Sequence, residues 1–148
     1  MRKVLVTGSA GFIGFHLASR LLADGWQVIG LDCVSPYYDP ALKEARVEIL
    51  RQHPNFIEAR ISLENRDAVM ALMAEHAPQR IIHLAAQPGV RYSLEAPQAY
   101  VDANVTGFLT VLEAARAHPV DHVVFASTSS IYGLDETMPL SPHRGGNH

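Results

Sequence analysis

Four adjacent hydroxyl side chains, Ser127 to Ser130, follow a mainly apolar segment at residues 122–126. A hydroxyl both donates and accepts hydrogen bonds, so a group of them at the end of a strand can serve a bound substrate. The same hydroxyls can instead satisfy the backbone of the loop that follows. Taken alone, the segment favours this structural interpretation, and other motifs must decide whether a site lies there.

Three glycines, Gly8, Gly11 and Gly14, have the spacing Gly-x-x-Gly-x-x-Gly between a predicted strand and a predicted helix. The first permits a tight turn, the second lets a pyrophosphate approach the backbone, and the third allows close packing of helix on strand. The helix N-terminus offers N–H groups and a positive dipole end to phosphates. Glycine triplets also occur wherever a turn is tight, so this pattern alone leaves the function open.

An acidic residue, Asp32, ends the predicted second strand, at the sequence distance from Gly8 that dinucleotide-binding domains show. A carboxylate there accepts hydrogen bonds from an adenosine ribose and repels a 2′-phosphate. The order strand, glycines, helix, strand and acid therefore predicts a dinucleotide site that favours NAD over NADP. The sequence contains no Gly-x-x-x-x-Gly-Lys-Ser/Thr loop, which argues against a nucleotide-hydrolysing protein.

The elements that must position these residues alternate between strands and helices. Short apolar runs predict five strands at residues 4–6, 26–32, 55–61, 80–85 and 122–127. Helical periodicity predicts helices at residues 12–24, 40–54, 64–76 and about 94–117, with Gly25 placed to cap the first. This order indicates an α/β fold with a parallel sheet covered on both faces. Residues 134–148 lack periodicity and are interpreted as a loop.

Composition excludes several classes of function. The 148 residues carry a net charge of −3, with 48% hydrophobic and 18% charged residues, which suits one globular domain and gives no footprint for nucleic acid or an anionic membrane. No apolar run reaches the roughly 20 residues that span a bilayer, and glycines interrupt the N-terminal apolar stretch, so we reject a signal peptide. The lone Cys33 suits a reducing compartment, so we expect a cytoplasmic domain.

The eight histidines are scattered, no two lie at ligand spacing on one predicted helix, and no cysteines accompany them, so we expect no bound metal. His83 lies in the predicted fourth strand, and we expect it to be a hydrogen-bonded core residue. Tyr37 and Tyr38 are candidates to flank an adenosine pocket, although packing within their own loop explains them as well.

Together the motifs resemble those of the extended short-chain dehydrogenase/reductase family, in particular its NAD-dependent sugar-nucleotide epimerases and dehydratases. The similar segments are TGSAGFIG (7–14), HLAAQPGVRYS (83–93), NVTGF (104–108) and FASTSSIYG (125–133). Residues 31–46 and 88–93 are most similar to the UDP-glucuronate 4-epimerases. The resemblance implies a Rossmann-type doubly wound sheet in residues 1–133 and, at 134–148, a tail leading to a catalytic helix and a substrate domain outside this chain.

The resemblance also implies where an NAD cofactor lies. Besides the three glycines, the implied cofactor residues are Phe12 and Ile13 at the pyrophosphate, Asp32 at the ribose, Leu63 near the adenine, Leu84, Ala85 and Ala86 beside the middle of the cofactor, and Asn104 close to the site. Relatives usually carry an Asp-Leu pair where this chain has Ser62 and Leu63. A polar adenine contact is therefore weakened or made differently here.

For the hydroxyl cluster, the resemblance implies that Thr128 is catalytic: its hydroxyl would bond the 4-hydroxyl of a UDP-sugar and relay its proton as hydride leaves for NAD⁺. Dehydratases of the family place Asp-Glu where this chain has Ser129 and Ser130. Two serines cannot act as general acid and base at neutral pH, so the pair favours epimerisation at carbon 4 over dehydration. Ser129, Ser130 and Arg91 are the candidate substrate contacts. For Arg91 the favoured interpretation is a surface or helix-packing arginine, although a carboxylate-binding role would fit a glucuronate substrate.

The family's Tyr-x-x-x-Lys pair is absent from this sequence, in which the only lysines are Lys3 and Lys43. The lysine of that pair lowers the pKa of the tyrosine, so that a phenolate can accept a proton. We therefore expect the chain to be the N-terminal half of an epimerase that is a homodimer at full length, and to lack turnover alone. The alternatives are a truncated, non-catalytic NAD-binding module and an NADP-linked carbonyl reductase, which Asp32 disfavours.

Overall fold

A computed structural model describes residues 1–37, 39–133 and 137–143. Within these residues, five parallel strands form one sheet in the order β3-β2-β1-β4-β5. The strands are β1 (Lys3–Thr7), β2 (Gln27–Leu31), β3 (Phe56–Ala59), β4 (Arg80–His83) and β5 (His122–Phe125). The chain runs from β1 outwards to β3 and then returns to the other side of β1, so a crevice opens at the carboxyl ends of β1 and β4. The predicted parallel α/β sheet is confirmed.

Helices connect the strands. They are α1 (Phe12–Ala23), α2 (Pro40–Arg51), α3 (Arg66–His76), α4 (Tyr92–Glu95), α5 (Pro97–Tyr100) and α6 (Gly107–Ala117), with a π-helical segment (Val101–Thr106) before α6 and a 3₁₀ helix (Ser129–Tyr132) after β5. The side chains of Asp39 and Asn65 accept backbone N–H bonds at the starts of α2 and α3. Gly25, with a φ of +79°, follows the end of α1, which confirms the predicted capping glycine.

Two apolar cores cover the sheet. Leu5 of β1 packs in one core with Met73 of α3. The adjacent Val6 packs in the other core with Leu22 of α1 and Leu50 of α2. Because side chains alternate across a strand, these neighbours enter opposite faces of the sheet. The sheet is therefore doubly wound, as the resemblance implied.

The segment predicted as one helix at about 94–117 is instead divided into α4, α5, the π-helical segment and α6. The break lies at Ala96, whose φ and ψ of −133° and 62° are not helical, directly before Pro97. Proline restricts the residue that precedes it and has no N–H, so a helix restarts at this point. At the start of α6, a Cβ on Gly107 would come within 2.8 Å of the Leu63 Cβ atom, so the glycine allows close packing.

The edge strand β5 departs from the prediction. It ends at Phe125, before the predicted end at residue 127, and Val124 and Phe125 are 45% and 52% exposed. The expected cover on both faces therefore does not extend to this edge. Residues 137–143 contain no helix or strand, and the interpretation of residues 134–136 and 144–148 as loop lies outside the described residues. Across the part of the chain that is described, none of the helices has the length and apolar character needed to cross a membrane.

Candidate dinucleotide site

The turn between β1 and α1 requires glycine at two positions. Gly8 has a φ of +74°, in the left-handed region that other residues adopt only at a cost, and its N–H donates to the Leu31 carbonyl at 2.7 Å. A Cβ on Gly8 would lie 2.9 Å from the Ala85 nitrogen, and a Cβ on Gly14 would overlap the Gly8 carbonyl. The glycine turn therefore brings together the backbones that leave β1, β2 and β4.

The N-terminus of α1 adjoins this turn. Gly11 is the N-cap and supplies no side-chain hydrogen bond to the first turn of the helix. Phe12 and Ile13, the first two residues of α1, are 67% and 66% exposed. An uncapped helix start suits an anionic group, and exposed apolar side chains beside it suit a molecule that covers them.

Asp32 lies directly after β2 and is only 8% exposed. Its Oδ2 atom accepts a hydrogen bond from the N–H of Ala10, within the glycine turn, at 3.0 Å. Its Oδ1 atom accepts a hydrogen bond from the Val34 N–H at 2.8 Å, and Lys43 Nζ of α2 lies 3.1 Å from the same oxygen. Three donors therefore hold the carboxylate in place beside the glycine turn.

A buried network holds the backbone that follows β4. Thr7 Oγ1 accepts hydrogen bonds from the N–H groups of Leu84 and Ala85, both at 3.1 Å, and lies 2.7 Å from His83 Nδ1. Because both of its lone pairs are used, the hydroxyl donates its proton to Nδ1, so His83 is neutral and carries its own proton on Nε2. Burial lowers the pKa of His83, which favours the same neutral ring. The prediction of a hydrogen-bonded core histidine is confirmed.

These elements surround a cavity of about 600 Å³ at the carboxyl edge of the sheet, a volume that suits a cofactor or other small molecule. All the predicted cofactor residues except Asn104 line it, namely Gly8, Gly11, Phe12, Ile13, Gly14, Asp32, Leu63, Leu84, Ala85 and Ala86. Tyr37 also lines the cavity, whereas Tyr38 lies outside the described residues.

Asn104 of the π-helical segment acts on the cavity wall indirectly. Its Oδ1 atom accepts a hydrogen bond from the Gln87 N–H at 2.7 Å, and its Nδ2 atom donates to the Gln87 carbonyl at 3.1 Å. Gln87 and Ala103 line the cavity. The amide of Asn104 therefore holds one residue of the wall by both of its backbone groups.

The hydroxyl cluster and Arg91 lie outside this lining. Thr128, Ser129, Ser130 and Arg91 are all exposed. Thr128 Oγ1 accepts a hydrogen bond from the Ser130 N–H at 3.2 Å, which is the local backbone contact that the structural interpretation expects. Ala126, just before the cluster, does line the cavity. The catalytic and substrate-binding roles of these residues stay predictions.

Sequence reasoning missed two cationic residues of α2, Lys43 and Arg46, which line the cavity with Asp32. Arg46 Nη1 donates to the Ala10 carbonyl at 3.2 Å, and its guanidinium carbon lies 6.0 Å from the centre of the Phe12 ring. A signal was available, because Lys43 and Arg46 are one helical turn apart in a predicted helix and so share a face. The sequence alone does not predict that this face of α2 packs against Asp32.

The doubly wound parallel sheet, the glycine turn and the acidic end of β2 define a Rossmann-like domain. Residues 5–144 match the family described as GDP-mannose 4,6 dehydratase. The chain therefore belongs to this family, which is part of the NAD-dependent epimerases and dehydratases.

Named relatives match almost the whole chain and are much longer. The Probable UDP-glucuronate 4-epimerase of Rhizobium meliloti (strain 1021) is 50% identical over 139 residues, which cover 94% of this chain and 41% of that protein. UDP-glucuronate 4-epimerase 3 of Arabidopsis thaliana is 44% identical over 142 residues, which cover 94% of this chain and 32% of that protein. The chain spans less than half the length of these relatives.

Solved structures show the same architecture. The UDP-glucuronic acid 4-epimerase from Bacillus cereus, in complex with UDP-glucuronic acid and NAD, is 34% identical with a TM-score of 0.83, and the match covers 95% of this chain and 44% of that one. The UDP-glucose 4-epimerase of Thermus thermophilus, in complex with NAD, is 33% identical with a TM-score of 0.81, over 98% of this chain and 44% of that one.

Proposed function

We propose that this chain forms the NAD-binding part of a UDP-glucuronate 4-epimerase. The observation that carries the proposal is the junction of the glycine turn with Asp32 at one cavity, where the Ala10 N–H donates to Asp32 Oδ2. The named relatives support the substrate class, and the structural neighbours that hold NAD support the cofactor. Because the chain covers less than half of those proteins, the activity is proposed for the whole protein.

The residues present fit a dinucleotide. Gly8 and Gly14 make room for the turn itself, whereas Gly11, at the N-cap of α1, has no side chain where a pyrophosphate would approach the backbone. The N-terminus of α1 supplies the positive end of a helix dipole. The exposed rings and methyl groups of Phe12 and Ile13 would be covered by such a ligand. Asp32 would accept hydrogen bonds from the ribose hydroxyls. NAD, when bound, would supply the chemistry of taking and returning a hydride.

Thr128 is assigned the proton relay at the sugar 4-hydroxyl. Its position just beyond Ala126, which lines the cavity, supports this assignment. The description of the matching family names a dehydratase, and dehydration needs a general acid and a general base. Ser129 and Ser130 supply neither at neutral pH, so the pair favours epimerisation over dehydration. The sequence holds no Tyr-x-x-x-Lys pair. The chain alone is therefore proposed to bind NAD without turnover, with Arg91, Ser129 and Ser130 on the substrate side.

The whole protein is further proposed to be a homodimer. The π-helical segment and α6 expose four apolar side chains at helical spacing, Val101, Val105, Leu109 and Leu112, and each is between 43% and 63% exposed. Residues three or four apart share a helix face, so these side chains form a stripe that a second copy would cover. Light scattering on the product of the complete reading frame tests this proposal. A dimer that Leu109→Glu dissociates supports it, and a monomer contradicts it.

The activity is tested with the same product and UDP-glucuronate. We expect its carbon-4 epimer, with no lasting rise in NADH absorbance, because the cofactor is regenerated in each cycle. Thr128→Val removes the hydroxyl and should lower turnover by about 100-fold or more, whereas Thr128→Ser retains the hydroxyl and serves as the control. A stoichiometric rise in NADH would instead indicate a dehydrogenase, and a product that has lost water would indicate a dehydratase.

A further inference from the structure

Two loops flank the cavity, one that begins after β2 (residues 32–37) and one after β4 (residues 84–91). Because β1 lies between β2 and β4, the loops begin two strand spacings apart, or about 10 Å. Tyr37 of the first loop nevertheless contacts Tyr92, which directly follows the second loop. Their ring centres lie 4.7 Å apart with the planes tilted by 39°. This contact crosses the carboxyl end of β1, where the glycine turn lies.

A third tyrosine holds the second loop in place. The ring of Tyr100, at the end of α5, lies 6.2 Å from the ring of Tyr92. The Tyr100 hydroxyl donates to the Pro88 carbonyl at 2.8 Å and also contacts the Gly89 carbonyl. Tyr100 therefore links the tip of the second loop to Tyr92, the ring that Tyr37 contacts.

Gly89 makes room for this contact. It has a φ of +96°, and a Cβ at this position would overlap the Tyr37 hydroxyl. A glycine therefore allows Tyr37 to lie directly against the backbone of the second loop. Tyr37 therefore contacts both the backbone of the second loop and the ring of Tyr92.

The base of the second loop is held by other groups. Thr7 bonds the N–H groups of Leu84 and Ala85, and Asn104 bonds both backbone groups of Gln87. Residues 88–91 are held by the tyrosine contacts together with short-range bonds, such as that from Ser93 Oγ to the Val90 carbonyl at 2.6 Å. Pro88 and Tyr37 both line the cavity, so the tyrosine contacts border it.

We propose that Tyr37 and Tyr92 form a clasp between the two loops, which opens to admit and release the bound dinucleotide. In this role the two tyrosines are positioning residues, because each acts through the loop that it holds. An aromatic pair is a weak contact that breaks and re-forms readily, so the clasp slows exchange without blocking it. The identity of the ligand rests on the proposed function, whereas the clasp itself is tested without any ligand.

Trypsin provides the ligand-free test, because Arg91 is exposed and precedes Tyr92. Tyr37→Ala should raise the rate of cleavage after Arg91 about fivefold to tenfold, the range expected for loss of one aromatic pair. Tyr37→Phe keeps the ring and should be cleaved much more slowly than Tyr37→Ala, at a rate closer to that of the wild type. Cleavage after Arg116, within α6, is the control for global unfolding. If the Tyr37→Ala protein does not fold, the experiment is done with Tyr37→Leu. Equal cleavage after Arg91 in the wild type and in the folded variant would overturn the clasp.

Stopped-flow exchange of NAD⁺ tests whether the clasp controls access. Tyr92 is not among the residues that line the cavity, so its truncation opens the clasp without removing a wall of the site. Tyr92→Ala should raise the association and dissociation rates by the same factor, about fivefold, and leave Kd within about twofold, because a barrier over the entry path affects both directions. Unchanged rates would overturn the gating role. A wild-type protein that binds no NAD⁺ would overturn the gating of a dinucleotide and the proposed function together, while cleavage after Arg91 would still decide the clasp.

Discussion

Lys43 of α2 forms an ion pair with Asp32 at the end of β2, with 3.1 Å between Nζ and Oδ1. Both side chains are largely buried, at 16% and 8% exposed. Asp32 also accepts two backbone N–H bonds, so its carboxylate is held and its charge balanced within the protein itself. The part of the cavity next to Asp32 is therefore less negative than an aspartate alone would make it.

We predict that Lys43→Met increases the preference for NAD over NADP. Without the ammonium group, the charge of Asp32 repels a 2′-phosphate more strongly. A charge-assisted hydrogen bond contributes about 1.5–3 kcal/mol, so the Kd for NADP⁺ should rise about tenfold to 100-fold relative to that for NAD⁺. Calorimetric titration measures both constants. Lys3→Met, at the amino end of β1 and outside the cavity lining, is the matched control. An unchanged ratio of the two constants in Lys43→Met would contradict the role of the ion pair.

Gly14→Ala should destabilise the protein far more than Gly25→Ala does. A Cβ at Gly14 overlaps the Gly8 carbonyl, which is backbone and cannot move aside. Gly25 has a positive φ but open space around it, so alanine there costs only about 1–2 kcal/mol in backbone strain. We expect Gly14→Ala to cost about 3 kcal/mol or more, as overpacking against backbone does. Urea denaturation compares the two variants, and equal losses would show that the turn tolerates a side chain.

Thr7→Val should lower the free energy of unfolding by about 1–3 kcal/mol, since it leaves buried polar groups without a partner. The groups that lose their partner are the Ala85 N–H and the Nδ1 atom of His83, whereas the Leu84 N–H keeps its bond to the Thr7 backbone carbonyl at 3.3 Å. Thr7→Ser keeps the hydroxyl and should retain most of the stability. Chemical denaturation of the three proteins checks this ordering. A Thr7→Val protein as stable as the wild type would rule out the network as a support of the cavity wall.

The stability of the protein should fall below about pH 6.5 partly because of His83. Burial lowers its pKa in the folded protein below the ordinary value of 6.5. Just below pH 6.5, the unfolded chain therefore binds a proton at His83 and the folded protein does not. The contribution is fully present above pH 6.5 and is lost as the pH drops, until the folded ring also protonates, with a slope of at most about 1.4 kcal/mol per pH unit. Denaturation between pH 5 and 7.5 should show a shallower slope for His83→Asn. The exposed His122→Asn is the control, and identical slopes for His83→Asn and the wild type would contradict the neutral ring.

The features that sequence reasoning captured are local ones. The spacing of Gly8, Gly11 and Gly14 reflects steric limits within one turn, and Asp32 is recognisable because it ends an apolar strand. The strands were found because parallel strands buried on both faces are continuously apolar. Only their ends were misplaced, as in β5, where the apolar run continues past the last ladder residue at Phe125.

The features that sequence reasoning missed depend on contacts between distant segments. The pairs of Lys43 with Asp32, Tyr37 with Tyr92, and Asn104 with Gln87 form only when separate loops and helices meet. The π-helical segment was also missed, because its apolar residues recur at spacings that fit an α-helix equally well.

The most direct test of the account is whether NAD⁺ occupies the cavity. Cys33 is the only cysteine in the sequence, is exposed, and lines the cavity beside Asp32, so its alkylation rate, followed by mass spectrometry, reports occupancy of that wall. We predict that NAD⁺ at about ten times its Kd slows alkylation of Cys33 about tenfold, and that Asp32→Ala, if folded by circular dichroism, loses this protection. An alkylation rate that NAD⁺ leaves unchanged, or equal protection in Asp32→Ala, would contradict the account.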